Sequence, residues 1–261
     1  MNHYMKANYH THTTRCKHAV GTEREYIEAA ISMGMEVLGF ADHIPCPFTD
    51  GYVSTIRMDM EQADEYVQTI RSLAREYEGT IRLLAGFEAE YTPEFFDAQM
   101  EMLHRVNGDY LIMGQHFLGR EPDGTYTGAP TKNDDFLKGY VDTVIAGMET
   151  GAFLYLAHPD LINYEGTDGV YEREMTRLCE ALYDLRIPLE INLQGLLQHR
   201  HYPAERFWQI AGRIGNRVVL GVDAHNPSQI CEQGVYERAM RMAAKYALKI
   251  EEIDPGSICG Y

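Results

Sequence analysis

The sequence predicts an α/β fold: a single-domain parallel barrel, residues 1–261, built from seven β-then-α units. Three observations lead there. A short apolar run alternates with a longer helical pattern along the whole chain, as expected when strands return to one sheet through crossover helices. The length, 261 residues, suits one (β/α) barrel, a fold that uses about 250. Each apolar run also ends in a side chain able to bind a metal or move a proton, and parallel barrels place their active sites at the carboxyl ends of the strands.

The chain opens on NYHTHTTRCKH, residues 8–18. In an extended strand, side chains two apart share a face, so His10 and His12 aim two imidazoles at one point. His18 follows far enough on to return along a loop. Thr22-Glu23-Arg24-Glu25 is a capping box that starts a helix, and Gly34 stops it after about Met33. EVLGFADH is the second strand and ends on Asp42-His43. An amphipathic stretch from Asp59 to Tyr77 leads through Gly79 to IRLLAGFEAEY, which carries Glu88 and Glu90. Pro93 begins the next helix, and DYLIMGQHF then delivers His116. Asp134 to Met148 is helical, and FLYLAHPD brings His158. A helix around Glu172 to Leu185 precedes PLEINLQG, with Glu190 and Asn192. Pro203 to Arg213 is helical again, RVVLGVDAHN supplies Asp223 and His225, and Ser228 to Ala247 closes the series.

Composition narrows the partners. A formal charge of −16 argues against a nucleic-acid backbone, which wants a basic face, and leaves small molecules and metals. No apolar run has membrane-spanning length, and MNHYMKANYH lacks the apolar core of a signal peptide; a cytoplasmic protein is expected. The five cysteines, Cys16, Cys46, Cys179, Cys231 and Cys259, are odd in number and form no CxxC, so they read as reduced thiols. The methionines and Trp208 read as packing. His3, His104 and His199 fall outside the strand-end pattern and are not assigned to a metal. The polar stretch 118–135 reads equally as a lid or as a plain variable loop.

Imidazoles with a few carboxylates and no thiolates suit zinc, iron or manganese. Seven histidines with Glu88 and Asp223 exceed the needs of two tetrahedral centres, and three divalent ions sharing a bridging carboxylate fit the count. Ions packed together lower the pKa of a bridging water from about 15.7 towards 7 and clamp anionic oxygens. That chemistry matches phosphate-monoester hydrolysis, among the slowest of uncatalysed reactions.

HTH followed by KHAVGT, then GFADHIP, GFEAEY, GQHF, AHPD, EINLQG and GVDAH, in that order from Asn8 to about Asn226, resemble the PHP (polymerase and histidinol phosphatase) superfamily, and within it the histidinol-phosphate phosphatases of the HisK type. The resemblance implies a distorted (β/α)7 TIM-like barrel with a trinuclear metal site. Carried over by motif, His10, His12, Glu88 and Asp223 hold one metal. Glu88 bridges to a second, completed by His116 and His158, and His18, His43 and His225 hold the third. A bridging hydroxide then attacks the phosphorus of L-histidinol phosphate in line. One departure is that Leu161 to Tyr164, after AHPD, carry no arginine, which some members have there.

Asp42, beside His43, is the candidate catalytic carboxylate: it orients a ligand or passes a proton to the leaving alkoxide. Glu90 is either its counterpart behind a ligand or a substrate contact. A substrate amine wants a carboxylate such as Glu190, and the phosphate wants a cation, for which Arg200 and His201 are preferred over Arg15, Lys17 and Arg57. The alternative on this scaffold is a phosphoesterase for another small phosphomonoester, a nucleotide or a phosphodiester. A non-catalytic barrel is disfavoured because every expected ligand position is filled.

Overall fold

The computed structural model describes residues 5–255; His3 and Cys259 lie outside them. In chain order the elements are β1 (Ala7–Asn8), a 3-10 turn (Thr14–Cys16), α1 (Glu23–Ser32), β2 (Val37–His43), α2 (Gln62–Glu76), β3 (Arg82–Ala89), α3 (Pro93–Arg105) and β4 (Tyr110–Met113). A small hairpin, β5 (Phe117–Leu118) and β6 (Thr125–Tyr126), precedes α4 (Asp134–Glu149), α5 (Asp168–Asp184), β7 (Leu189–Asn192) and α6 (Leu193–Leu197). Then come α7 (Glu205–Ile214), β8 (Arg217–Gly221), a second 3-10 turn (Pro227–Cys231), α8 (Gln233–Lys245) and β9 (Lys249–Ile250).

Seven strand positions form a curled, wholly parallel ring. β1 to β4 pair in order; Met113 bridges to Leu156, Leu156 to Leu189, and β7 pairs with β8. Beyond the ends of β8 and β1, Ala224 bridges Thr11. The side chain of Asn8 clasps this seam: Oδ1 accepts from the Val222 N–H at 2.9 Å, and Nδ2 donates to Thr11 Oγ1 at 2.7 Å.

The capping box at Thr22 and Glu25 forms as expected, and Pro93 occupies the first turn of α3. Other elements differ from the sequence expectation. FLYLAHPD joins the sheet over Leu154 to Ala157, where Leu154 and Ala157 donate to the Leu111 and Met113 carbonyls and Leu156 bridges both neighbours, and the backbone then turns into the left-handed region at His158 (φ 29°), which ends the run. β1 spans two residues, so His10 and His12 lie beyond it. The strand read from PLEINLQG stops at Asn192, whose side chain caps α6 by accepting from the Gly195 N–H at 2.8 Å. α5 begins a turn earlier than Glu172, and the stretch 228–247 splits into the second 3-10 turn and α8. β9 adds a short strand beside β8 that the apolar pattern did not reveal. Among the described residues no helix is long and apolar enough to cross a membrane.

The main core lies between ring and helices, with Trp208 of α7 buried in it. A second cluster fills the ring itself: Tyr9, Leu84, Tyr110, Ile112, Leu154, Tyr155 and Val219. Tyr110 is its centre, its hydroxyl 2.8 Å from the Tyr9 carbonyl and 3.1 Å from that of Phe40. The ring of Tyr110 fits because β3 carries glycine opposite it; a Cβ on Gly86 would sit 2.5 Å from three ring atoms. This plug forms the floor on which the polar strand ends stand. Gly86→Ala is therefore expected to destabilise the protein by about 1–3 kcal/mol through overpacking, read as a lowered urea midpoint with an unchanged slope.

Candidate metal centre

The strand ends converge on one carboxylate. Glu88 is buried near the end of β3, in register with His43 of β2. Its Oε1 lies 2.9 Å from His158 Nε2 and 3.5 Å from both His10 Nε2 and His116 Nε2. Its Oε2 lies 3.1 Å from His43 Nδ1 and 3.4 Å from His12 Nε2. Room for it comes from Gly114, where a Cβ would run into Glu88 Oε1. Asp223 Oδ1 faces His10 Nε2 at 3.5 Å, His12 Nε2 at 3.3 Å and His225 Nδ1 at 3.4 Å. His225 Nε2 in turn lies 3.0 Å from His18 Nε2. All nine expected ligands thus form one cluster.

Two of them are held by strained backbone. His158 and Asp223 both have positive φ, 29° and 54°. Such conformations cost on the order of 1–3 kcal/mol and collect at functional sites.

The donor set fits divalent metal. His10 Nε2, both nitrogens of His12, His43 Nδ1 and Glu88 Oε2 are buried without a hydrogen-bond partner, an arrangement costly enough to be rare. The four contacts that link His10 Nε2 and His12 Nε2 to Glu88 and Asp223 measure 3.3–3.5 Å. A tetrahedral ion with bonds of about 2.0–2.2 Å sets its ligands about 3.3–3.6 Å apart. These spacings are therefore too long for good hydrogen bonds and right for shared coordination. His18, His43 and His225 form another group able to hold a metal ion, as do His43, Glu88 and His116. The sulfur of buried Cys16 also lies within 4.8 Å of ring nitrogens of His12 and His225, so a thiol stands at the edge of a set expected to hold none.

Behind the ligands stand further carboxylates. Glu190 Oε2 meets His10 Nδ1 at 2.8 Å, and Glu90 Oε1 meets His116 Nδ1 at 3.1 Å. Each fixes a ring so that its Nε2 faces the cluster. Burial pulls His10 down, but Glu190, Asp223 and Glu88 outweigh it and hold it well above 6.5. Burial likewise opposes His12, yet Asp223, Asp42 and Cys16 raise it well above 6.5. Glu88 and Asp223 are pushed up by burial and pulled well below their ordinary values by the surrounding imidazoles. His43 goes the other way, lowered by burial to about 3.

The cluster floors a cavity of about 380 Å³ walled by Ile56, Phe117, Tyr126, Leu161 and Tyr202, with Arg200 and Gln198 among its polar lining. Several other expected site residues face protein groups and do not line the cavity. Glu190 is wholly buried between His10 and Asn192, which donates to its Oε1 at 2.7 Å, and offers no face to a substrate amine. His201 turns away, its Nε2 2.7 Å from the Leu161 carbonyl, with burial lowering its pKa. Asp42 is fully buried and accepts the Thr13 N–H at 2.9 Å and the Thr13 hydroxyl, which suits orientation of the ligand loop rather than proton transfer. Arg15 is engaged by Glu23 and Glu65, Lys17 by the Ser54 carbonyl, and Arg57 by Glu90 and Glu121. Gln194 escaped the sequence reading: its Nε2 lies 2.7 Å from His225 Nδ1 and 2.7 Å from the Asp223 carbonyl. Its only signal was its place two residues beyond Asn192, where the apolar run ends.

The PHP domain matches residues 8–194, and the chain belongs to the PHP-domain family. A Deinococcus radiodurans protein described as "Probable histidinol-phosphatase" is 30% identical over 230 residues, covering 85% of this chain and 86% of the relative. The histidinol-phosphatase of Bacillus subtilis is 33% identical over 120 residues, 43% of this chain and 44% of its own length. Among solved structures, the histidinol phosphate phosphatase (HISK) of Lactococcus lactis, complexed with zinc, L-histidinol and phosphate, has a TM-score of 0.74 at 18% identity, over 95% of this chain and 96% of that one.

The raised histidines give the metal-free protein a pH signature. The carboxylates around His10 and His12 hold them above 6.5 and so favour their protonated forms, whereas a metal needs their lone pairs. Loading with a divalent ion is expected to release at least one proton, so apparent affinity rises with pH until those histidines have titrated. Calorimetry in buffers of different ionisation enthalpy measures the proton count; a count of zero at pH 7 would contradict the charge assignment.

Proposed function

We propose that the chain, acting as one domain over residues 1–261, is a metal-dependent phosphomonoesterase that hydrolyses L-histidinol phosphate to L-histidinol and phosphate, a step of histidine biosynthesis, in the cytoplasm. One observation carries the reading: a cluster of imidazoles and carboxylates floors a cavity sized for a small phosphate ester. Similarity to histidinol-phosphatases along most of the chain supports the substrate.

A phosphate dianion approaching Glu88 and Asp223, in a chain of charge −16, is repelled unless cations lie between them. The proposed ligands are His10, His12, Glu88 and Asp223 for one ion. Glu88, His116 and His158 hold a second, and His18, His43 and His225 a third, each ion being zinc, iron or manganese. Bound ions supply an activated water and neutralise charge on the phosphoryl oxygens. The chain's own residues do the rest. Glu190 and Glu90 orient the His10 and His116 rings, and Asp42 anchors the loop at Thr13. Arg200, at the cavity wall beside Tyr202, is the cation placed to bind a phosphoryl oxygen. Phe117, Tyr126, Tyr202 and Leu161 give the organic part of the ester an apolar wall that excludes water.

Phosphate release from L-histidinol phosphate is measured against sugar phosphates, nucleotides and a phosphodiester, with protein reconstituted separately with zinc, manganese and iron. Strong preference for histidinol phosphate is expected; preference for another ester overturns the substrate, and no metal-dependent turnover overturns the activity. His158→Ala is expected to abolish hydrolysis with the fold retained. Arg200→Ala should raise KM about 10- to 100-fold, the equivalent of losing a charge-assisted hydrogen bond of about 1.5–3 kcal/mol.

A further inference from the structure

Arg57 is 2% exposed, although it sits in the irregular segment that follows β2. A buried guanidinium is costly unless its donors are answered, and here they are answered from three directions. Nε donates to Glu121 Oε2 at 2.9 Å. One terminal nitrogen donates to the Ile44 carbonyl at 3.0 Å and Glu90 Oε2 at 3.1 Å, and the other reaches Glu90 Oε1 at 3.3 Å. Glu90 Oε1 is the same atom that meets His116 Nδ1. At the far end, Glu121 Oε1 accepts from the hydroxyls of Tyr52 at 2.7 Å and Ser54 at 2.8 Å.

Glu121 lies in the turn between β5 and β6, and those two strands carry Phe117 and Tyr126 of the cavity wall. Ile56, next to Arg57 in the chain, is a wall residue too. One guanidinium therefore joins a strand-end carboxylate behind the cluster to both loops that shape the cavity's mouth. Lysine could not do this, because its single ammonium lacks the planar fork that grips two carboxylates at once.

We propose that Arg57 is a positioning residue with two arms: through Glu90 it fixes the ring of His116 towards the metal cluster, and through Glu121 it fixes the β5–β6 wall against which the substrate sits. The Glu90 arm sets metal retention and turnover, and the Glu121 arm sets substrate affinity. Losing Glu121's charge alone leaves Arg57 and Glu90 as a neutral pair, so that variant keeps the buried charge balanced.

The test uses full-length, metal-loaded protein and two readouts: loss of bound zinc to a chromogenic chelator, and kcat and KM for L-histidinol phosphate. Arg57→Met is expected to release zinc about tenfold faster and to lower kcat about tenfold, the scale of a lost partner behind a metal ligand. Arg57→Lys, which restores the charge without the fork, should recover part of both losses. Glu121→Gln is expected to raise KM severalfold while zinc release and kcat stay within about twofold. If Arg57→Met does not fold, Arg57→Lys and Glu121→Gln decide the matter. Folded Arg57→Lys with wild-type zinc release and kcat overturns the first arm, and Glu121→Gln with wild-type KM overturns the second. The inference rests on the proposed metal site. A wild-type protein that binds no zinc defeats that site, whereas one that binds zinc and loses it no more slowly than the Arg57 variants defeats only the Glu90 arm of the proposal.

Discussion

A single buried carboxylate organises the molecule. Glu88 sits among five imidazoles drawn from four parts of the chain: His10 and His12, His43, His116 and His158. An isolated carboxylate in that position would cost several kcal/mol, and five imidazoles crowded together would repel one another once protonated. Each is tolerable because of the other, and the balance is completed by the cations the cluster is suited to hold. The register of β2 on β3 sets this up by placing His43 beside Glu88. A slip of one residue would turn every side chain of the strand to the opposite face, so the polar centre and the sheet register specify each other.

The layer below and the layer behind serve that centre. Beneath it, Tyr110 and its neighbours fill the ring and give the strand ends a rigid base. Behind it, Glu190, Glu90 and Asp42 are spent on orienting rings and the Thr13 loop rather than on meeting a ligand. The left-handed backbone at His158 and Asp223 belongs to the same economy of position: local strain is accepted where side-chain direction matters most.

Much of this was legible in the sequence. Strand ends announced themselves because a polar side chain closing an apolar run has few reasons to be there other than function, and all nine expected ligands converge. Depth was not legible. Glu88 and Glu190 both close apolar runs in the sequence, yet Glu88 is next to last in β3 and lies in the cluster, while Glu190 is the second residue of β7 and lies behind His10. Where a strand begins and ends relative to its neighbours is not encoded in a single run. Arg200 and His201 are neighbours in one loop, and the fold sends one to the cavity and the other to the Leu161 carbonyl. The run that reads as a full strand pairs only over Leu154 to Ala157 and breaks at His158, because the turn there is a backbone property without a composition signal. The 118–135 stretch read as a loop of uncertain purpose; its hairpin and its buried Glu121 depend on an arginine some sixty positions earlier.

The clasp between Asn8 and Val222, and the bridge from Thr11 to Ala224, have a consequence for the order of events as the protein is made. His10 and His12 leave the ribosome about 210 residues before Asp223 and His225. At about 5–20 residues per second, the early histidines wait on the order of tens of seconds for the Asp223 carboxylate they face in the folded protein. The full cluster of imidazoles and carboxylates therefore comes together only after the ring has shut, as a property of the finished barrel and not of the growing chain.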